Sequence, residues 1–233
     1  MRAMTPAAPG EVLVASGGYL DYLNGQPNGA RERWTIHTAG SSRITRAERD
    51  AFGLSVRVQA TESGGRLAGF AVELENRDSP TVRHAIAHYR IEAGRLLVER
   101  RVNDKQAVQQ ELPLDEGSVI APLLRVFMGR IILDLTRQGA AAPVITPHLL
   151  NPHDNERVLL CDVEMRAASA CASDDPTLTC FEYLAPLGNA PILCWLNADG
   201  LLARTRYRQD DNRVWTAALV DYQRFSAAST SGQ

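Results

Sequence analysis

Between residues 54 and 102 the apolar residues recur at every second position, and that period constrains the fold more than any other feature. In "LSVRVQAT" Leu54, Val56 and Val58 alternate with Ser55, Arg57 and Gln59. In "RLAGFAVELE" Phe70, Val72 and Leu74 oppose Ala71, Glu73 and Glu75. In "HAIAHYRIEAGRLLVERRV" one face reads Ala85, Ala87, Tyr89, Leu96, Val98, Arg100 and Val102, and the other His84, His88, Arg90, Glu99 and Arg101. Alternation of this kind belongs to strands buried on one face. Short glycine-bearing breaks such as "ESGG" and "EAGR" leave no room for crossover helices, so the strands must be sequential and antiparallel. The same reading extends to "RERWTIHT", "RITRAER" and "AVQQELPL". After residue 156 it resumes at "RVLLCDVEMRA", "LTCFEYL", "APILCWL", "LLARTRYRQ" and "RVWTAALVDYQRF", with "NADG" as a hairpin turn.

The period changes once. In "SVIAPLLRVFMGRIILDLTRQG" (118–139) Ile120, Leu124, Phe127, Ile131 and Leu135 fall at helical spacing. Ser118 as N-cap, an early Pro122 and a terminal Gly139 predict one long helix over these residues. So rich an apolar stripe must be covered, and a curved sheet would cover it. The fold expected is mainly β: a strongly bent antiparallel sheet or half-barrel wrapped around one long α-helix. No linker divides the 233 residues, which predicts an N-terminal extension over 1–18, a single domain over 19–225 and a flexible tail over 226–233.

Composition excludes some roles. A net charge of −2 offers no basic face for nucleic acid. The longest apolar run is broken by Arg125, Arg130 and Asp134, so it does not span a bilayer. "MRAMTPAAPGEVLVASGG" has too short an apolar run for a secretory leader, which predicts a cytoplasmic protein, or a periplasmic one if a leader has been removed. Cys161, Cys171, Cys180 and Cys194 match no zinc spacing. Free core thiols are the default expectation, with a Cys171–Cys180 bridge open as an alternative. Lys105 is the only lysine among 25 basic residues. Arginine's planar fork suits carboxylates and phosphates, although genomic base composition alone can produce the same bias.

The succession of early strands, "LPLDEGSVIAPLLRVFMGRI", a strand pair and then "CWLNADGLLARTRYRQ" resembles the lipoprotein-carrier-like half-barrel superfamily, which includes the LolA and LolB carriers and related domains of unknown function. The resemblance covers roughly residues 30 to 210 and rests on element order and on Trp195, Gly200 and Arg204. It implies a bent sheet around a helix with an apolar groove for acyl chains. No catalytic residue comes with it, and a chain without a leader departs from the periplasmic carriers.

Several side chains interrupt the pattern. On a strand His84 and His88 stand about 13 Å apart at roughly 3.3 Å per residue, too far to share a metal. "ITPHLLNPHDNER" gathers His148, His153 and Asp154 in a loop without further ligands nearby, and no metal site or cofactor is predicted. "SGGYLDYLNGQPNG" lacks the strand and Lys-Ser of a phosphate loop and reads as a turn-rich entry, with Tyr19 and Tyr22 able to border a cavity. Glu32, Tyr89 and Arg100 fall on the inward set, where a charge must be paired or meet a polar ligand. Glu32 and Arg100 can pair with each other, or sit at strand ends.

The expectation is therefore a protein that holds a hydrophobic or amphipathic small molecule, acyl- or isoprenoid-like with an anionic head, between sheet and helix. Trp34, Phe70, Tyr89, Phe127 and Trp195 would supply contact area and Arg100 would meet the head. The alternative is a cofactor-independent lyase, isomerase or cyclase using Glu32, Tyr89, Arg100 and His88. A protein-binding scaffold with a filled interior is the third possibility.

Overall fold

The structure is a computed structural model that describes residues 6–79, 81–149, 155–184, 191–209 and 212–225. Eight strands open the chain: β1 (Val12–Leu23), β2 (Gln26–Ala39), β3 (Ser42–Ala51), β4 (Leu54–Ser63), β5 (Arg66–Asn76), β6 (His84–Glu92), β7 (Arg95–Val102) and β8 (Val108–Pro113). Each is antiparallel to the one before. Tight hairpins make this possible. At Asn24–Gly25 and Ala93–Gly94 both central residues have positive φ, the conformation whose twist matches that of the flanking strands.

After the two-residue β9 (Val119–Ile120) and a helical segment come β10 (Ala142–Pro147), β11 (Cys161–Cys171), β12 (Thr179–Leu184), β13 (Ile192–Leu196), β14 (Leu202–Arg208) and β15 (Val214–Arg224). β15 pairs with β1, which joins the two meanders into one sheet ordered β8 to β1, then β15 to β9. Among the described residues the only parallel pair is β9 with β10. The end strands β8 and β9 do not pair, so the bent sheet stays open. This agrees with the mainly β half-barrel expected from the alternation.

The helix is shorter than its apolar spacing predicts. A 3-10 turn at Arg125–Phe127 leads into α1 (Met128–Gln138), closed by Gly139 in the left-handed region. Upstream, Val119 and Ile120 pair with Val144 and Ile145, and Leu123 and Leu124 take positive φ. Pro122 explains the break, because it disfavours helical backbone in the residue before it. Ser118 lies upstream of both N-cap positions, Leu124 and Phe127, and so does not cap the helix. The first N–H groups of the turn are instead bonded by the distant carboxylate of Glu32. Ile131, Ile132 and Leu135 are buried, and Gly129 sits so close to the "NADG" turn that a Cβ there would overlap the carbonyl oxygen of Gly200.

Three further readings are corrected. β1 runs through the segment expected as an extension and a turn-rich entry, and from Val12 onward it is a central strand. The strand expected from Arg157 begins at Cys161, after a 3-10 turn at Asn155–Arg157. Val163 and Met165 are 52% and 58% exposed, and Glu164 and Arg166 share the face of Val144 and Ala142 across β10. Finally, Cys171 and Cys180 form a disulfide, while Cys161 and Cys194 are free and buried, their thiols pushed up to about 12 by burial. The tail over 226–233 lies outside the described residues, as do His153 and Asp154.

The open ends of the sheet are drawn together by side chains. From β6, Tyr89 donates its hydroxyl to the carbonyl of Leu159 at 2.5 Å. From β7, Arg100 Nη2 donates to the carbonyl of Glu156 at 2.8 Å. From β8, the Gln110 carboxamide accepts from the N–H of Cys161 at 2.8 Å and donates to its carbonyl at 3.1 Å. The segment 156–161 thus serves as the common partner of three strands at the seam.

On the outer face Arg33, Glu48, Arg57 and Glu73 stand in register across β2 to β5. They alternate in sign and bond in series at 2.9, 3.2 and 3.0 Å. His84 ends the row with Nε2 at 3.2 Å from Glu73. Glu48 is buried between its two arginines, so this charged face is neutralised within itself instead of being simply solvated.

Candidate ligand-binding site

A cavity of about 460 Å³ lies between the 121–131 segment and the concave side of the sheet. Strand alternation supplies its walls. Leu54 and Val56 come from β4, Val144 from β10, Leu202 from β14 and Trp215 from β15, while Leu124, Met128 and Ile131 close it from the helical side. Ala121, Leu123 and Leu124, from the irregular stretch that precedes α1, also line it. A groove of about 720 Å³ over Gly17 and Gly18 is larger, but Arg31, Glu48, Asp50 and Asp221 are among its walls. Size therefore does not single out the site; an apolar lining with a few convergent polar groups does.

One wall is charged. Asp21, next in the inward set of β1 after Tyr19, is buried, and its Oδ2 accepts Arg49 Nη2 at 2.6 Å and Arg125 Nη2 at 2.9 Å. Both guanidinium groups are about a quarter exposed, so this is the side that solvent reaches. Burial raises the carboxyl of Asp21 above its usual range and the Arg49 charge opposes that rise.

Glu32 sits beside this group, across from Tyr19 on β1 and Arg49 on β3. Its Oε1 accepts the N–H groups of Arg125 and Val126 at 3.0 and 3.1 Å, and Oε2 accepts Arg125 N–H at 3.1 Å. At 2% exposure, desolvation dominates and pushes its carboxyl up to about 8. The hydroxyl of Tyr19, Nε1 of Trp34 and Oδ1 of Asp21 are buried with no hydrogen-bond partner among the described residues. Buried polar atoms left this way are uncommon and mark places that hold water or a polar ligand.

None of the residues expected to contact a ligand lines this cavity. Trp34 is core, packed against Gly17 and 6.0 Å from the ring of Tyr222. Phe70 and Tyr89 stack on each other with centroids 4.1 Å apart, and the Tyr89 hydroxyl is used at the seam. Phe127 is turned to a separate depression with Leu67 and Ile91. Trp195 is an odd number of residues from the cavity-lining Ile192, so it faces the other side of β13. There the guanidinium of Arg204 covers it at 4.0 Å. Arg100 Nη2 bonds the Glu156 carbonyl and Glu32 bonds the N–H groups of Arg125 and Val126, so the two do not pair with each other.

The four candidate acid–base groups fall in three places. His88 is exposed on the outer face, Tyr89 and Arg100 are neighbours at the seam, and Glu32 is beside the cavity. Of the other histidines, His148 donates its Nδ1–H to Asp162 Oδ2 at 2.8 Å. Among the described residues no three His, Cys, Asp or Glu side chains gather as a metal site.

No family model matches the sequence, and no curated protein is significantly similar to it. A crystal structure of a β-barrel-like protein of the domain of unknown function DUF1849 from Brucella abortus is similar in fold. It superposes with a TM-score of 0.52 at 11% identity, covering 92% of this chain and 99% of that one. Among the described residues no helix is long and apolar enough to cross a membrane. The chain has the β-barrel-like fold of that protein.

Proposed function

We propose that the protein binds an amphipathic small molecule, with its apolar part in the cavity beneath Met128 and Ile131 and an anionic head against Arg49 and Arg125. The observation that carries this reading is an apolar hollow of about 460 Å³ with two arginines sharing a single aspartate on one wall. That volume lies in the range of small-molecule sites, roughly 300–1,000 Å³. The likeness of element order to the LolA and LolB carriers points to an acyl chain as the apolar part. The Cys171–Cys180 bridge favours an oxidising compartment over the cytoplasm.

Binding is favoured over catalysis because no two of the candidates Glu32, Tyr89, Arg100 and His88 converge on the cavity, as a reaction there needs. Native mass spectrometry with sodium decanoate and with decanol tests the proposal. One molecule retained per chain is expected, and lost when Met128→Trp fills the cavity. No retention of either compound would overturn it.

A further inference from the structure

The polar wall of the cavity is balanced in a way that limits how an anion can enter. The groups facing Glu32 are Tyr19 and Asp21 from β1, Arg49 from β3 and Arg125 from the 3-10 turn. With Asp21 and Glu32 ionised, two carboxylates meet two guanidinium groups and the set is neutral. Arg49 and Arg125 each give one Nη2 to the same oxygen of Asp21, and their remaining side-chain N–H groups bond no described residue. An arriving carboxylate or phosphate thus finds free donors, yet it leaves the buried set one negative charge in excess. Such an excess is costly away from water.

The two carboxylates are not equally able to relieve it. Asp21 receives two charged donors. Glu32 receives only backbone N–H groups and is the more enclosed. Its Oε1 accepts two of the three N–H bonds, so a proton on Oε2 gives up only the weaker contact to Arg125.

Granting the amphiphile reading of the cavity, we propose that the anionic head of the ligand is held by Arg49 and Arg125 only with a proton on Glu32, taken from solvent on binding when Glu32 is ionised beforehand. Glu32 is a positioning residue here. It fixes the backbone from which Arg125 projects, and its charge state sets the net charge of the wall. Burial already pushes its carboxyl up to about 8, so at neutral pH the wall carries a net positive charge before the ligand arrives. Above that pH the proton must be taken up together with the anion.

The test compares decanoate with decanol by calorimetry on the intact chain between pH 7 and pH 10. Decanoate affinity is expected to hold steady up to about pH 8 and then fall roughly tenfold per pH unit. Decanol affinity stays flat. At pH 9 the decanoate enthalpy should vary with the ionisation enthalpy of the buffer and report close to one proton taken up. In Glu32→Gln the decanoate profile becomes flat. Wild-type decanoate binding that is independent of pH and buffer overturns the inference while leaving the cavity reading intact. A pH-dependent Glu32→Gln also overturns it, and failure of both compounds to bind overturns the two together.

Discussion

The Gln110 carboxamide bonds both the N–H and the carbonyl of Cys161, doing with a side chain what a neighbouring strand does with its backbone. With Tyr89 on Leu159 and Arg100 on Glu156, it holds together the two ends of a sheet that never closes by strand pairing. Tyr89→Phe removes one of these bonds and leaves the buried Leu159 carbonyl unpaired. The expected cost is about 1–2 kcal/mol, read as a lower midpoint in urea unfolding. An unchanged midpoint would show that the seam does not depend on this bond.

Gly129 has no freedom to grow. A methyl group at that position meets the carbonyl oxygen of Gly200, so α1 can lie against the "NADG" turn only with glycine there. Overpacking of this kind costs typically 1–3 kcal/mol and occasionally more. Gly129→Ala should lower the melting temperature and weaken decanoate binding together, because the same helix closes the cavity. Thermal melts with and without decanoate separate the two effects.

Glu32 governs how stability varies with pH. Its carboxyl titrates at about 8 in the folded chain against 4.5 for the ordinary group, so between those values the folded state holds more proton than the unfolded one. The contribution of this group is then fully present below about pH 4.5 and declines until about pH 8, where it levels off. Glu32→Gln should gain on the wild type as pH rises through that window, by an amount on the order of a few kcal/mol at most, and match it most closely near pH 5. Urea midpoints for both chains at pH 5 and pH 8.5 check the sign, and a gap that narrows with rising pH would contradict it.

The Cys171–Cys180 bridge spans the loop between β11 and β12 with a separation of nine residues. Closing a loop of this size in the unfolded chain contributes about 2–3 kcal/mol in the entropic account. Dithiothreitol should therefore lower the melting temperature of the wild type and leave a Cys171→Ser/Cys180→Ser variant unaffected.

Period-two alternation puts Glu32 of β2, Tyr89 of β6 and Arg100 of β7 on the inside, and all three are buried. It could not say what they meet. Tyr89 and Arg100 answer to the carbonyls of Leu159 and Glu156, some seventy and fifty-six residues away, and period two carries no information about such partners. Asp21 and Arg49 belong to the same inward sets as Tyr19 and Ala47, so the signal that marked Glu32 was present for them as well. It was obscured at Asp21 because two glycines made the first strand resemble a turn. The helix was read too long because apolar spacing does not register that Pro122 stops it and that Val119 and Ile120 have a strand to join. Trp195 is expected at the ligand with the other aromatic residues, whereas its parity with Ile192 sets it on the opposite face of β13.

The most direct test is a crystal structure of the protein grown with an ω-bromoundecanoate, read by the anomalous signal of bromine. The bromine is expected among Met128, Ile131 and Leu202, with the carboxylate against Arg49 and Arg125. Bromine found only on the outer surface, or a complex with the hollow still unfilled at saturating ligand, would contradict the account.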